Sequence, residues 1–145
     1  MPSTTFTVHT SMTPEQTLAV LTDFGPGRAE LWPNIDDSHF EVHEVGPSYA
    51  EVTEGNSMGW ERERYEWDAG AGTIDITTLD SNLWGPGSGW HYALTPGSGG
   101  TDVRVRLNRK PKALVGHLLG LVIPLFGGRA LGGQLRAVLK KAEAR

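Results

Sequence analysis

The sequence predicts an α+β domain of two layers, a seven-stranded antiparallel sheet covered by one long C-terminal helix. Three observations carry this. Six short alternating runs follow one another from residue 39 to residue 108, separated by glycine and proline turns of hairpin length. A β-branched alternating run and a proline-capped helix precede them, and the segment Pro111 to Arg145 then shows apolar residues at helical spacing. A sheet with one amphipathic helix beside it must bury its apolar face under that helix.

Each element has a local reason. Thr4 to His9 alternates and is β-branched, which makes a strand with Phe6 and Val8 on one face. Thr13-Pro14-Glu15-Gln16 is a capping box with proline at the first helical position. Leu18, Leu21 and Phe24 follow at helical spacing, so the helix runs from Pro14 to Asp23 until Gly25-Pro26-Gly27 stops it. Arg28 to Trp32 forms one further turn, ended by Pro33. The six later strands are His39 to Val45, Ser48 to Glu54, Trp60 to Asp68, Thr73 to Asp80, Gly89 to Thr95 and Thr101 to Asn108. In the last helix Leu114, Leu118, Leu121 and Leu125, then Leu131, Leu135, Val138 and Leu139, give an apolar stripe, and Pro124 with Gly127-Gly128 predicts a kink. Arg136, Lys140, Lys141 and Arg145 place positive charge at its C-terminus, where the helix dipole favours it.

Composition narrows the function classes. The 145 residues suit one domain spanning 1–145. The absence of cysteine excludes a disulfide scaffold and thiol chemistry, and fits a reducing, cytoplasmic setting. A net charge of −4 without a basic stripe gives no case for nucleic acid. Met1-Pro2-Ser3-Thr4-Thr5 lacks the pattern of a secretion signal. In the segment Ala113 to Leu131 the apolar core runs only from Leu118 to Gly128, shorter than the ~20 residues of a membrane span. The segment reads as a buried helix rather than an integral span, with weak contact at a membrane surface as the other reading.

The order strand, two helices, six strands and a long helix resembles the helix-grip fold of the START-like (SRPBCC) superfamily, in its polyketide cyclase/dehydrase-like branch. Thr13-Pro14-Glu15, Leu31-Trp32-Pro33 and Gly99-Gly100-Thr101-Asp102-Val103 carry the likeness, which covers the whole chain. The resemblance implies a curved sheet gripping the helix around a cavity for a hydrophobic small molecule; no cofactor is expected, and the chain is expected to be a monomer or homodimer.

The candidate site follows from strand parity and from this likeness. In Trp60-Glu61-Arg62-Glu63-Arg64-Tyr65-Glu66-Trp67, period two divides Trp60, Arg62, Arg64 and Glu66 from Glu61, Glu63, Tyr65 and Trp67. Aromatase/cyclases carry a similar Trp-x-Ser-x-Arg strand facing the cavity, which maps onto Trp60 and Arg64, with Arg62 departing from the serine. A guanidinium in a pocket can hold a carboxylate or an enolate through paired N–H donors. Alternatively, Arg62 and Arg64 lie on the solvent face beside glutamates of neighbouring strands.

Trp32, Ile74, Ile76, Trp90, Tyr92, Leu118 and Leu121 complete the expected wall. His39, with Glu41 and His43 on one side of a strand, is a candidate acid/base. As a metal triad the set is weak, because Phe40 and Val42 make the better core face, and no metal is expected. No nucleophile motif is present. Three functions fit: a binding module for an apolar molecule, an aromatase/cyclase or dehydratase using Arg64 and His39, and an interaction module presenting Tyr65, Trp67 and Trp84 outward.

Overall fold

Seven strands form one antiparallel sheet in the order β1-β7-β6-β5-β4-β3-β2 in the computed structural model. It describes residues 2–112 and 114–145; Met1 and Ala113, which open the two segments tested for targeting and membrane character, lie outside the described residues. The strands are β1 (Ser3–Thr10), β2 (Glu41–Val45), β3 (Tyr49–Gly55), β4 (Trp60–Asp68), β5 (Thr73–Ser81), β6 (Gly89–Gly97) and β7 (Gly100–Asn108). Between the first two come α1 (Pro14–Leu21), α2 (Arg28–Leu31) and a 3₁₀ turn at Asp37–His39. The C-terminal segment is α3 (Leu114–Val122), a π turn (Ile123–Gly127) and α4 (Gly128–Glu143). This is the helix-grip architecture, with two short helices and a long C-terminal one on a curved sheet.

Local chemistry explains the starts and turns. The Gln16 N–H donates to Thr13 Oγ1 at 3.1 Å and the Thr13 N–H to Gln16 Oε1 at 2.9 Å, closing the capping box that opens α1. Gly72 turns β4 into β5 at a φ of +70°, and its carbonyl accepts from the Leu94 N–H at 2.7 Å. A Cβ there would stand 2.6 Å from the Leu94 carbonyl oxygen, so only glycine fits both the angle and the space.

The inner face of the sheet carries Val8, Ala50, Val52, Ile74, Ile76, Leu94, Val103 and Val105, all buried, and α4 covers it with Leu135 and Leu139. Burying each large aliphatic chain contributes about 1.5–3 kcal/mol before entropy is counted. α4 packs principally on β1, at the sheet edge opposite β2. That geometry corrects the expectation for Val42: every residue of β2 is exposed, Val42 to 39%, because α4 covers the opposite edge of the sheet.

The two halves of the C-terminal segment also depart from the single stripe predicted. Leu135, Val138 and Leu139 are buried, but Leu114, Leu118, Leu121 and Leu125 are exposed. α3 turns its glycines inward instead: a Cβ on Gly116 would lie 2.3 Å from the Leu83 carbonyl oxygen, and one on Gly120 would lie 3.1 Å from Pro2 and Pro111. Pro124 lacks the N–H an α-helix needs, and the wider π turn there resets the phase between the halves. The segment read as a buried helix is therefore a surface helix seated on its glycines.

Candidate functional site

The parity of β4 decides what faces the helix. Tyr65 pairs with Ile76 and Trp67 with Ile74, and residues directly opposite on antiparallel strands share a face. Because Ile74 and Ile76 are core residues, Glu61, Glu63, Tyr65 and Trp67 are drawn to the same side. Leu79 bulges out of β5, so Glu63 meets Thr78 and Glu61 meets Ser81, and the inward parity of β5 is kept past the break.

Arg62 and Arg64 are thereby placed on the outer face, against the expectation that they enter the pocket. Arg64 Nη1 donates to Glu51 Oε1 at 3.2 Å, its guanidinium lies 4.8 Å from the Tyr49 ring centre, and Arg62 Nη2 stands 3.6 Å from Glu51 Oε2. Trp60 shares their parity but opens the strand, where it lines an apolar groove against α3.

Behind the inner face lies a cavity of about 100 Å³, lined by Arg28, Trp32, Glu54, Glu61, Glu63, Tyr65, Ile76, Trp90 and Tyr92, and closed by Phe6 and the α4 residues Leu131 and Leu135. A wider apolar groove of about 470 Å³ adjoins it and shares Glu61, Trp90, Leu131 and Gln134 with it. Val115, Leu119, Val122 and Phe126 of α3 and the π turn form one wall of the groove, with Trp60, Trp84 and Leu107 facing them. Drug-sized ligands occupy clefts of roughly 300–1,000 Å³, so the groove is large enough to hold one.

The cavity is unusual for its buried charge. Arg28, 4% exposed, pairs through Nε with Glu54, and its Nη2 donates to the Tyr65 hydroxyl at 3.0 Å. Its Nη1 donates to the Leu21 and Asp23 carbonyls at 3.3 and 2.9 Å, and Tyr65 donates in turn to Glu54. The guanidinium plane sits 4.5 Å from the centre of the Phe24 ring and 5.3 Å from that of Trp32. Burial works against its charge, but Glu54 and Tyr65 outweigh that and hold Arg28 above its ordinary range. A second arginine, Arg109, donates from Nη2 to Glu61 Oε2 at 3.0 Å between the rings of Trp84 and Trp90. Thr78 Oγ1 donates to Glu61 at 2.9 Å.

Two arginines thus meet three carboxyls, and both guanidiniums are taken. Glu63, 4% exposed, is the carboxyl left over. Burial first, and the neighbouring Glu61 and Glu54 next, push its pKa well above the usual carboxylate range. It is therefore poised to hold a proton and donate it in a hydrogen bond or a transfer. Burial, with Glu63 adding to it, likewise raises Tyr92, so its phenol stays neutral. Trp32 Nε1 is a buried donor that finds no hydrogen-bond partner among the described residues.

The expected wall is partly assembled. Trp32, Ile76, Trp90 and Tyr92 line the cavity, and Ile74 lines a small recess behind it with Leu21 and Arg28. Leu118 and Leu121 do not: they are 57% and 72% exposed, on the side of α3 away from the groove. His39 lies in the 3₁₀ turn, bonded to Asp36 Oδ1 at 2.8 Å and outside the cavity. His43 instead faces Glu41 at 2.9 Å, so no triad forms. Tyr65 and Trp84 are buried at 5% and 7%, and Trp67 packs on the core, which removes the outward aromatic face of the interaction-module reading.

Sequence reasoning missed Arg28, Glu54, Glu61, Glu63 and Arg109. For Glu61 and Glu63 a signal existed, since Ile74 and Ile76 in the next strand demand an inward Tyr65 and Trp67 and carry the two glutamates with them. For Arg28 and Arg109 none did, because each acts from a short helix or a strand end where no periodicity applies.

The comparisons agree with this architecture. A Thermus thermophilus protein of known structure matches with a TM-score of 0.80 at 15% identity, over 99% of this chain and 98% of its own. The ZhuI aromatase/cyclase from a Streptomyces species matches with a TM-score of 0.79 at 18% identity, over 99% and 94%. A START superfamily protein from Mycobacterium smegmatis follows at 0.71 and 14%, over 97% and 99%. At such identities these likenesses show the fold alone. No curated protein matches the chain by sequence. The sequence profile of the family described as polyketide cyclase/dehydrase and lipid transport matches residues 1–145, and the chain belongs to that family.

Proposed function

We propose that the chain binds an apolar small molecule in the groove between sheet and C-terminal helix, with a neutral polar end of the ligand directed at Glu63. The observation that carries this is the third carboxyl, buried on a cavity wall where both arginines are already paired. An anionic head group would meet Glu54, Glu61 and Glu63 with no free guanidinium to hold it. A carbonyl or hydroxyl group suits the site better, because a protonated Glu63 and the free Trp32 Nε1–H both donate. The apolar body would lie along Val115, Leu119, Val122 and Phe126.

Dye displacement tests this with pairs of ligands that share a hydrocarbon body. A long-chain methyl ketone or alcohol should displace an environment-sensitive dye at least about tenfold more effectively than the carboxylate of equal length at pH 8, since the carboxylate would be buried beside Glu54 and Glu61 with neither guanidinium free to pair with it. Equal competition by the carboxylate sinks the proposal.

A second reading, dehydratase or cyclase chemistry, is favoured by the raised pKa of Glu63, which suits a general acid near neutral pH. Glu63→Gln separates the two. Glutamine keeps a donor but no transferable proton, so a binder retains its affinity, whereas an enzyme loses turnover of a poly-β-ketone substrate while still binding it.

A further inference from the structure

We propose that α3 docks the protein onto a negatively charged membrane surface, lying in the interfacial plane. The outward stripe Leu114, Leu118, Leu121 and Leu125 recurs at spacings of four, three and four residues, and the four side chains are 57–76% exposed. The adjoining face of α3 lines the groove and its third side is the glycine seat, so exposed His117 is the one polar side chain on the helix. A helix this apolar on its solvent side belongs in a core or against lipid. Only 11% of the most apolar 18-residue window of the helix is buried, at a mean hydropathy of 1.6. Met58, 80% exposed on the β3–β4 turn, lines the same groove.

Charge identifies the occupant. From Lys110 to the C-terminus there are seven Lys and Arg against one Glu, a net of +6 in a chain whose total is −4. Exposed Lys110 stands before the stripe and exposed Arg129 just after it, followed by Arg136 and Lys140 at spacings of seven and four on the surface of α4. Basic residues flanking an exposed apolar helix complement anionic lipid, at about fivefold in affinity per charge near the surface. A second copy of the chain would bring the same basic rows together and repel.

The helix lies on the bilayer rather than through it. Leu135, Val138 and Leu139 tie α4 to the protein core, which leaves only the stripe from Leu114 on α3 to Leu125 in the π turn, ~16 Å long at about 1.5 Å per residue, for the lipid. Docking on this face sets the groove beside the bilayer, so an apolar ligand can pass between them with little exposure to water. The docking itself does not depend on the ligand reading.

Vesicle co-sedimentation of the full chain decides the matter. The protein should partition onto phosphatidylcholine vesicles containing about one third phosphatidylserine, bind pure phosphatidylcholine far less, and be released by high salt. Leu118→Asp with Leu121→Asp should abolish partition with an unchanged far-UV circular dichroism spectrum, because both positions are exposed. Arg129→Gln should weaken partition about fivefold. No partition onto anionic vesicles overturns the proposal, as does partition indifferent to lipid charge and salt. A dimer in analytical ultracentrifugation that Leu118→Asp dissolves also overturns it, in favour of a second copy. Should the double variant misfold, the lipid and salt dependence of the unaltered protein still decides.

Discussion

Arg28 with Glu54 and Arg64 with Glu51 are the same chemical pair in two settings. The side chains of the first are 2% and 8% exposed, those of the second 34% and 23%. Inside, the guanidinium has lost its water and replaced it with a carboxylate, a phenol and two backbone carbonyls. Outside, Arg64 keeps its water and shares two glutamates, Glu51 and Glu66, and the Tyr49 ring. The lesson is that β4 carries charged side chains on both faces, and the neighbouring strands decide which face is buried. The inner pair closes the pocket floor, and the outer pair decorates a solvated sheet.

The comparison can be broken most decisively at Arg28. Arg28→Ala should cost about 3–5 kcal/mol in urea unfolding, because it leaves Glu54 buried without its partner. Arg28→Met combined with Glu54→Leu should recover most of that loss, since replacing both partners leaves no orphaned charge. A loss below about 1 kcal/mol for the single alanine would remove the claim that the inner pair differs in kind from the outer one.

Glu63 gives the next effect, with its sign fixed by linkage. Its folded pKa is raised above the ordinary 4.5, so the folded state holds a proton over a pH range where the unfolded chain has released it. The stability this brings is fully present below the unfolded pKa and is lost as pH rises through the folded one. Glu63→Gln should therefore raise the melting midpoint at pH 8, change it little at pH 4, and flatten the decline between them. A midpoint at pH 8 that falls with the substitution would mean Glu63 serves the fold as a charged group.

Arg64→Ala is the smallest expected change. Its melting midpoint and its dye-displacement constants for neutral ligands should match the unaltered protein, because only surface charge is removed. A selective loss of ligand binding would return the outer face of β4 to the site.

The same contrast runs through the C-terminal segment. The leucines of α3 and α4 look alike in sequence, and both halves were legible as helix. Yet Leu135 and Leu139 enter the core while Leu118 and Leu121 face solvent. Spacing reports which residues share a face, and says nothing of whether the leucine face or the glycine face meets the sheet. The glycine face won on α3 because the Leu83 carbonyl lies too close to Gly116 for any Cβ, while Pro111 and Pro2 pack tightly on Gly120.

By itself the sequence determined the element order, the capping box at Thr13, the hairpin turns and the helical character of the C-terminal segment. Those depend on interactions within a few residues or on a period along one element, and both are written in the chain. Only the tertiary structure decided that Glu63 rather than Arg64 lines the inner cavity, that Arg28 and Arg109 are already paired, and that α3 turns its leucines outward. Each of these rests on a partner distant in sequence: Arg28 meets Glu54 across 26 residues and Arg109 meets Glu61 across 48. The free energy of burying a charge depends on whether such a partner is there to meet it, and no local pattern encodes that meeting.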